Sequence, residues 1–302
     1  MKKKIVFYLS EKILKKKNSN REKEKGITKT GSWKCMLFES AVISHIGCKR
    51  KNNEDNYYLN GVYRQNMEKD IIQFSEPQAR TGILAGVFDG AGGASCGEWA
   101  SLMAVSSMAE YQERISSKCM MGEYVPNVNH KLIQEIEKYG TNMGTTMAVL
   151  LLKDDFANVY NLGDSRIYLF REQRLMQITY DHTQAQNFHK KIANSSEKIN
   201  QEKYQDIKEK NILTKYLGMK NLYKCKPYFM ERIPVMKHDI FILCSDGLYN
   251  MVGKHDMCHC LEKVKKETPL EIARTLAGEA LLAGGKDNVT CMVIKAMCID
   301  ES

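Results

Sequence analysis

Gly144-Thr-Thr-Met-Ala-Val-Leu-Leu-Leu-Lys-Asp-Asp-Phe-Ala-Asn-Val-Tyr-Asn-Leu-Gly-Asp-Ser-Arg-Ile-Tyr-Leu-Phe170 decides the fold. Gly144-Thr145-Thr146 opens a strand through Leu152, Ala157–Leu162 returns, and Arg166–Phe170 follows. Only Asp154-Asp155 and Gly163-Asp164-Ser165 punctuate them. Such connections are too short to hold a crossover helix, so the strands form an antiparallel meander rather than a strand–helix–strand alternation. Working outward, Gly82–Phe88 and Asp239–Cys244 are short apolar runs that read as buried strands. Phe38–Ile46, Tyr57–Tyr63 and Val289–Ala296 complete the strand set, and residues 64–80 read as a polar hairpin connection. Helices are expected over Glu98–Arg114, where Ala100, Met103, Ala104, Met108 and Tyr111 keep the three/four spacing, over His130–Tyr139 and over Leu270–Leu282. Residues 181–216 are highly charged and weakly periodic, which predicts a surface insertion of short helices.

The charge balance excludes one class of partner. The chain has 302 residues and a net charge of +9, yet residues 1–30 hold eleven Lys/Arg against three Glu, or +8 of it. The body is close to neutral and gives no case for nucleic-acid binding. Ile5, Leu9 and Ile13 would share one face of a basic amphipathic helix, so residues 1–30 are read as a flexible basic extension or as a contact for an anionic surface. No apolar stretch reaches the roughly 18 residues of a membrane span, and the start is too soon charged for a signal peptide. The ten cysteines show no zinc spacing; Cys258-His259-Cys260 is too tight for a zinc loop. A reduced, cytoplasmic protein is expected.

The candidate chemistry lies at strand ends. Asp89-Gly90 follows Gly82–Phe88, and Ser245-Asp246-Gly247 follows Asp239–Cys244; Asn53-Glu54-Asp55 and Asp287-Asn288 flank the strands on either side. Each pair alone is also a common turn signal. Together they place carboxylates at the mouth of a sheet, where hard cations such as Mg²⁺ and Mn²⁺ find the oxygen ligands they prefer.

In order along the chain stand Gly47-x-x-Arg50-x-x-Asn53-Glu54-Asp55, Val87-Phe88-Asp89-Gly90-x-Gly92-Gly93, Gly144-Thr145-Thr146, Asn161-x-Gly163-Asp164-Ser165-Arg166, Thr179-x-Asp181-His182, Leu213-Thr214-x-x-Leu217-Gly218, Ser245-Asp246-Gly247-Leu248 and Asp287-Asn288-Val289-Thr290. With these motifs the chain resembles the metal-dependent Ser/Thr protein phosphatases of the PPM, or type 2C, family, in the bacterial single-domain style. The resemblance spans residues 36–297. It implies an α+β fold, a four-layer αββα sandwich of two antiparallel β-sheets flanked by helices. It implies two Mn²⁺ or Mg²⁺ ions, with Asp89 bridging them and the Gly90 carbonyl, Asp246, Asp287 and Asp55 as further ligands. Glu54 is expected to orient water. Asp164 matches the position of a weaker third metal, though a plain hairpin turn accounts for it equally. Two such ions about 3.5–4 Å apart activate a water for direct attack on phosphorus, so no Cys or Ser nucleophile is needed.

Arg50 offers the phosphate a planar fork of donors, against the alternative of a solvated basic loop. Ala91 stands where many eukaryotic members carry a histidine and cannot transfer a proton. His182 is read as packing the start of the 181–216 flap. The expected enzyme is a monomeric phosphoserine/phosphothreonine phosphatase acting on the substrates of a Ser/Thr kinase. The rival reading is a pseudophosphatase, the same fold used as a scaffold.

Overall fold

The computed structural model describes residues 36–65, 71–80, 82–92, 96–111, 118–153, 155–193, 212–221 and 225–298. The expected basic extension 1–30 lies outside them, as do residues 194–211 within the expected flap. Two antiparallel sheets form the centre. One runs β10 (Arg174–Gln177), β9 (Arg166–Arg171), β12 (Ile240–Cys244), β13 (Val289–Cys298), β1 (Met36–His45), β4 (Ile71–Arg80). The other runs β11 (Tyr228–Pro234), β8 (Phe156–Leu162), β7 (Met147–Lys153), β5 (Gly82–Gly92), β2 (Asp55–Leu59), β3 (Val62–Tyr63), with β6 (Met143–Thr145) paired to β5. The expected meander is β7–β8–β9, but β9 leaves the sheet of its two predecessors and enters the other.

Strand alternation explains the four layers. Side chains of a strand point to opposite faces in turn. In β12, Phe241 and Leu243 face the opposite sheet, while Ile240, Ile242 and Cys244 face outward onto helices. In β5, Ile83, Ala85 and Val87 face inward, and Leu84 and Phe88 outward. Both faces are buried, which is why these strands read as continuous apolar runs. The outer layers are α1 (Cys96–Tyr111) and α2 (Lys118–Tyr139) on the second sheet, and α4 (Asp246–Tyr249), α5 (Lys254–Val264) and α6 (Pro269–Leu282) on the first; α3 (Gln184–Ala193) opens the flap segment. Thr268 caps α6, its side chain accepting from Glu271 N, with Pro269 in the first turn.

Several sequence expectations need correction. Tyr57–Tyr63 is not one strand but a hairpin: Asn60 and Gly61 take φ of 47° and 93°, the left-handed values of a tight two-residue turn. Residues 71–80 are not a connection but the edge strand β4, where Pro77 interrupts no central ladder. Helix α2 starts at Lys118 rather than His130 and contains Pro126. The base of the flap is tied to the body: Thr183 bridges Leu213, and the fully buried Leu217 bridges Thr145.

Candidate active site

The inner faces of the two sheets run out into polar residues at the same end. Ile83, Ala85 and Val87 are followed in alternation by Asp89, and Leu59 and Tyr57 lead back to Asp55. Asp55 and Asp89 stand directly opposite each other in the β2–β5 pair. On the facing sheet, Phe241 and Leu243 lead to Ser245, Ile294 and Met292 to Thr290, and Val42 to Ser44. The two layers meet there. Asp55 Oδ2 accepts from Ser245 Oγ at 2.6 Å and from Thr290 Oγ1 at 2.7 Å. Ser44 Oγ lies 2.9 Å from Thr290 Oγ1 and accepts from Asn53 Nδ2 at 3.0 Å. Every partner in this network is buried.

Three more aspartates reach the same place from other elements. Asp164 is buried in the turn between β8 and β9, Asp246 opens α4, and Asp287 precedes β13. Close backbone approaches bring them in. A Cβ on Gly247 would lie 1.9 Å from the Asn288 carbonyl oxygen, and one on Gly90 2.1 Å from that of Gly97. Asn288 staples the Arg50 loop: its Nδ2 donates to Ile46 O and Asn52 O at 2.8 and 2.9 Å, and its Oδ1 accepts from Glu54 N at 2.8 Å.

The electrostatics record the convergence. Burial, then the charges of Asp55, Asp246, Asp164 and Asp287, push the Asp89 carboxyl well above the usual carboxylate range. Burial and the charges of Asp164, Asp287 and Asp55 raise Asp246 to about 8. Burial raises Asp55 to about 6, against the opposing effect of the Ser245 and Thr290 hydroxyls. Glu54, half-buried beside Gly97 at the start of α1, is also raised, mainly by burial. Like charges gathered in a poorly solvated place are unfavourable unless a cation joins them. The cluster is an all-oxygen donor set, the type that Mg²⁺ and Mn²⁺ select, so these residues fit such ions. Among the described residues no three His, Cys, Asp or Glu side chains stand within common ligating distance. Protein donors hold some of them: besides Asp55, Asp287 Oδ2 accepts from Arg50 Nη2 at 2.6 Å.

The structure thus brings together Asp55, Asp89, Asp164, Asp246 and Asp287, with Gly90 next to Asp89 and Glu54 and Arg50 at the rim. Arg50 is 47 % exposed, one nitrogen of its fork committed to Asp287. Ala91 is exposed and holds no transferable proton. His182 is buried; its Nδ1 accepts from Gly163 N at 3.2 Å, and burial lowers its pKa to about 4, so it is a neutral packing residue.

Sequence reading missed Ser44, Ser245, Thr290 and Asn288 as supports. It also missed Arg64, buried behind Asp55, whose Nη2 donates to the Asn53 carbonyl and, at 2.9 Å, to that of Asp55. Thr146 belongs with them, its Oγ1 accepting from Asp89 N at 2.9 Å.

Comparison with known proteins identifies the family. Residues 43–289 match the family model of Protein phosphatase 2C. The chain is similar to Protein phosphatase PhpP of Streptococcus pneumoniae, 30 % identical over 267 residues that cover 85 % of this chain and 97 % of that protein. It is similar to Serine/threonine phosphatase stp of Listeria monocytogenes, 29 % identical over 256 residues, 82 % of this chain and 91 % of that one. Among solved structures, the serine/threonine phosphatase PstP/Ppp of Mycobacterium tuberculosis superimposes with a TM-score of 0.66 at 27 % identity, covering 86 % of this chain and 98 % of that one. The catalytic domain of PstP in complex with two manganese ions gives 0.65 at 26 % identity, covering 87 % and 99 %. With a family match over residues 43–289 and a phosphatase relative 30 % identical over 85 % of this chain, the chain belongs to the protein phosphatase 2C family of phosphoprotein-hydrolysing enzymes.

Proposed function

We propose that this chain hydrolyses phosphoserine and phosphothreonine in proteins, with Asp55, Asp89, Asp246 and Asp287 and the Gly90 carbonyl holding two divalent cations and Asp164 available to a third. The observation that supports it most is the convergence on Asp89: Asp55 stands directly opposite it in the β2–β5 pair, and burial together with the charges of Asp55, Asp246, Asp164 and Asp287 pushes its carboxyl up. A scaffold gains nothing from gathering those charges. Bound there, Mn²⁺ or Mg²⁺ supplies Lewis acidity at the phosphoryl oxygens and a nucleophile at neutral pH.

The protein supplies the rest. Ser245 and Thr290 fix the rotamer of Asp55, and Thr146 and Thr145 hold the Asp89 backbone through its N–H and its carbonyl. Glu54, at the rim, orients water by accepting a hydrogen bond. Arg50 binds the phosphoryl group through the nitrogens that Asp287 leaves open. The test is hydrolysis of a phosphothreonine peptide and of p-nitrophenyl phosphate by metal-stripped protein, with and without added Mn²⁺, and after EDTA. Activity on both should appear with Mn²⁺ and vanish with EDTA. Hydrolysis that persists after chelation would sink the two-metal reading, and phosphopeptide binding without turnover in Mn²⁺ would favour the scaffold.

Arg50→Ala should raise KM for the phosphopeptide about tenfold or more, the worth of one charge-assisted hydrogen bond. Mn²⁺ affinity measured by calorimetry should move by less than about threefold. Unchanged KM would return Arg50 to a purely structural partner of Asp287.

A further inference from the structure

Asp246 sits on a helix that cannot hold itself. α4 has four residues, and its N-cap, Ser245, makes no side-chain capping bond. A single turn is far below the length at which a helix is stable alone, so tertiary contacts must set its position. Gly247 against Asn288 is one such contact. The fully buried Leu248 is another, and Tyr249, three residues after Asp246, is a third. The Arg166 guanidinium lies 3.6 Å from the centroid of the Tyr249 ring. It is also held on its other sides. Nε and Nη2 grip the Asp181 carboxylate at 3.1, 3.2 and 2.7 Å, and Nη1 donates to Tyr168 Oη at 3.0 Å. Gln177 Nε2 donates to Asp181 Oδ1 at 2.7 Å and keeps that carboxylate in place.

The placement of Arg166 is as telling as its contacts. It follows Asp164 by two residues, and it lies opposite Cys244, two residues before Asp246, in the β9–β12 register. One planar cation therefore stands between the turn that carries Asp164, the strand that delivers Asp246, the far end of the Asp246 helix and Asp181, where the flap segment starts. The Arg166 and Asp181 side chains are only 24 % and 13 % exposed, so their contact is not an ordinary surface ion pair of negligible worth. A lysine could keep the charge but neither the fork to Asp181 nor the flat stack on Tyr249.

We propose that Arg166 is a positioning residue for the metal site: clamped by Asp181, it presses on Tyr249 and so fixes Asp246 relative to Asp164. The proposal rests on the two-metal reading above.

The experiment is calorimetric titration of Mn²⁺ into metal-stripped parent protein, Arg166→Lys, Asp181→Asn, Tyr249→Phe, Tyr249→Leu and the Arg166→Lys/Tyr249→Leu double variant, with thermal unfolding of each. Arg166→Lys and Tyr249→Leu should each weaken Mn²⁺ binding about tenfold, the usual cost of losing a partner that orients a ligand. Tyr249→Phe keeps the ring face and should stay near the parent, and Asp181→Asn should fall between. The double variant should be no worse than the weaker single, because both changes remove one contact. At saturating Mn²⁺, kcat of Arg166→Lys should return to within about threefold of the parent. Unaltered Mn²⁺ affinity in Arg166→Lys and Tyr249→Leu, or a hundredfold additive loss in the double variant, overturns the positioning role alone. A parent protein that takes up no Mn²⁺ overturns the two-metal reading and the positioning role with it.

Discussion

Asp246→Asn is expected to lower Mn²⁺-dependent phosphatase activity by at least about a thousandfold and, at the same time, to make the metal-free protein more stable. The loss corresponds to about 4 kcal/mol of transition-state stabilisation, a modest demand for removing a ligand from a metal-dependent site. The gain follows from linkage. Burial and three neighbouring aspartates raise the Asp246 carboxyl from 3.8 to about 8. A carboxyl raised on folding favours the native state while it is protonated and disfavours it once charged. Relative to the parent, the metal-free Asn variant should therefore show no advantage below about pH 4. The advantage should open as pH rises and level off near pH 8. Melting curves of both proteins in EDTA across that range measure it. With Mn²⁺ added the order should reverse, since the ion stabilises only the protein that binds it. A variant that keeps full activity, or melts below the parent at pH 8 in EDTA, would contradict this account of the cluster.

Gly247→Ala should be among the most damaging single methyl groups that can be added near the site. Its Cβ would sit 1.9 Å from the Asn288 carbonyl oxygen, a backbone atom that cannot swing aside as a flexible side chain would. Either α4 moves away or the 287–289 segment does, and both movements separate Asp246 from Asp287. Overpacking of this kind costs about 1–3 kcal/mol, which for a domain of this size lowers the melting temperature by several degrees. The larger effect should be on function: Mn²⁺ affinity and kcat/KM should each fall at least about a hundredfold. Gly278→Ala, on α6 with nothing within 4 Å of its new methyl, serves as the control and should leave both unchanged. Equal tolerance of the two substitutions would mean that the close approach has no bearing on the site.

These effects show which parts of the site were open to sequence reading. The aspartates were, because each marks the end of an apolar run or opens a turn, and although one alone is an ordinary turn residue, several in family order are not explained by turns. Their supports were not. Ser245, Thr290 and Ser44 matter because two sheets, each delivering a hydroxyl on its inner face, close over Asp55; that depends on which strands face one another, and nothing local announces it. Arg64 is hidden the same way, since a buried guanidinium bound to backbone carbonyls leaves no pattern in neighbouring residues. The fold shows the same division. β5, β7 and β12 are buried on both faces and announced themselves by composition. β4 and β11 are edge strands, half polar or proline-bearing, and were passed over. α2 was shortened because Pro126 breaks its periodic signal while the helix continues through it. Asn60-Gly61 carries a legible hairpin signal inside the apolar run Tyr57–Tyr63.

The sheet order also sets a schedule for synthesis. β13, the last described strand, lies between β12 and β1, pairing Met36 with Cys298 at one end and His45 with Val289 at the other. Until residues 289–298 leave the ribosome, that sheet consists of two unconnected pieces, β10-β9-β12 and β1-β4, and Asp55 lacks Thr290. The second sheet, complete once Pro234 is made, has by then no partner to cover its inner face. A nascent chain halted before Val289 should therefore stay open to protease along its whole length, while one halted with Cys298 clear of the exit tunnel should resist it. Early resistance of the shorter chain would show that the halves can close without β13. The ten residues that supply Thr290 to the candidate site are thus the same ten expected to end this sheet's exposure to aggregation and degradation.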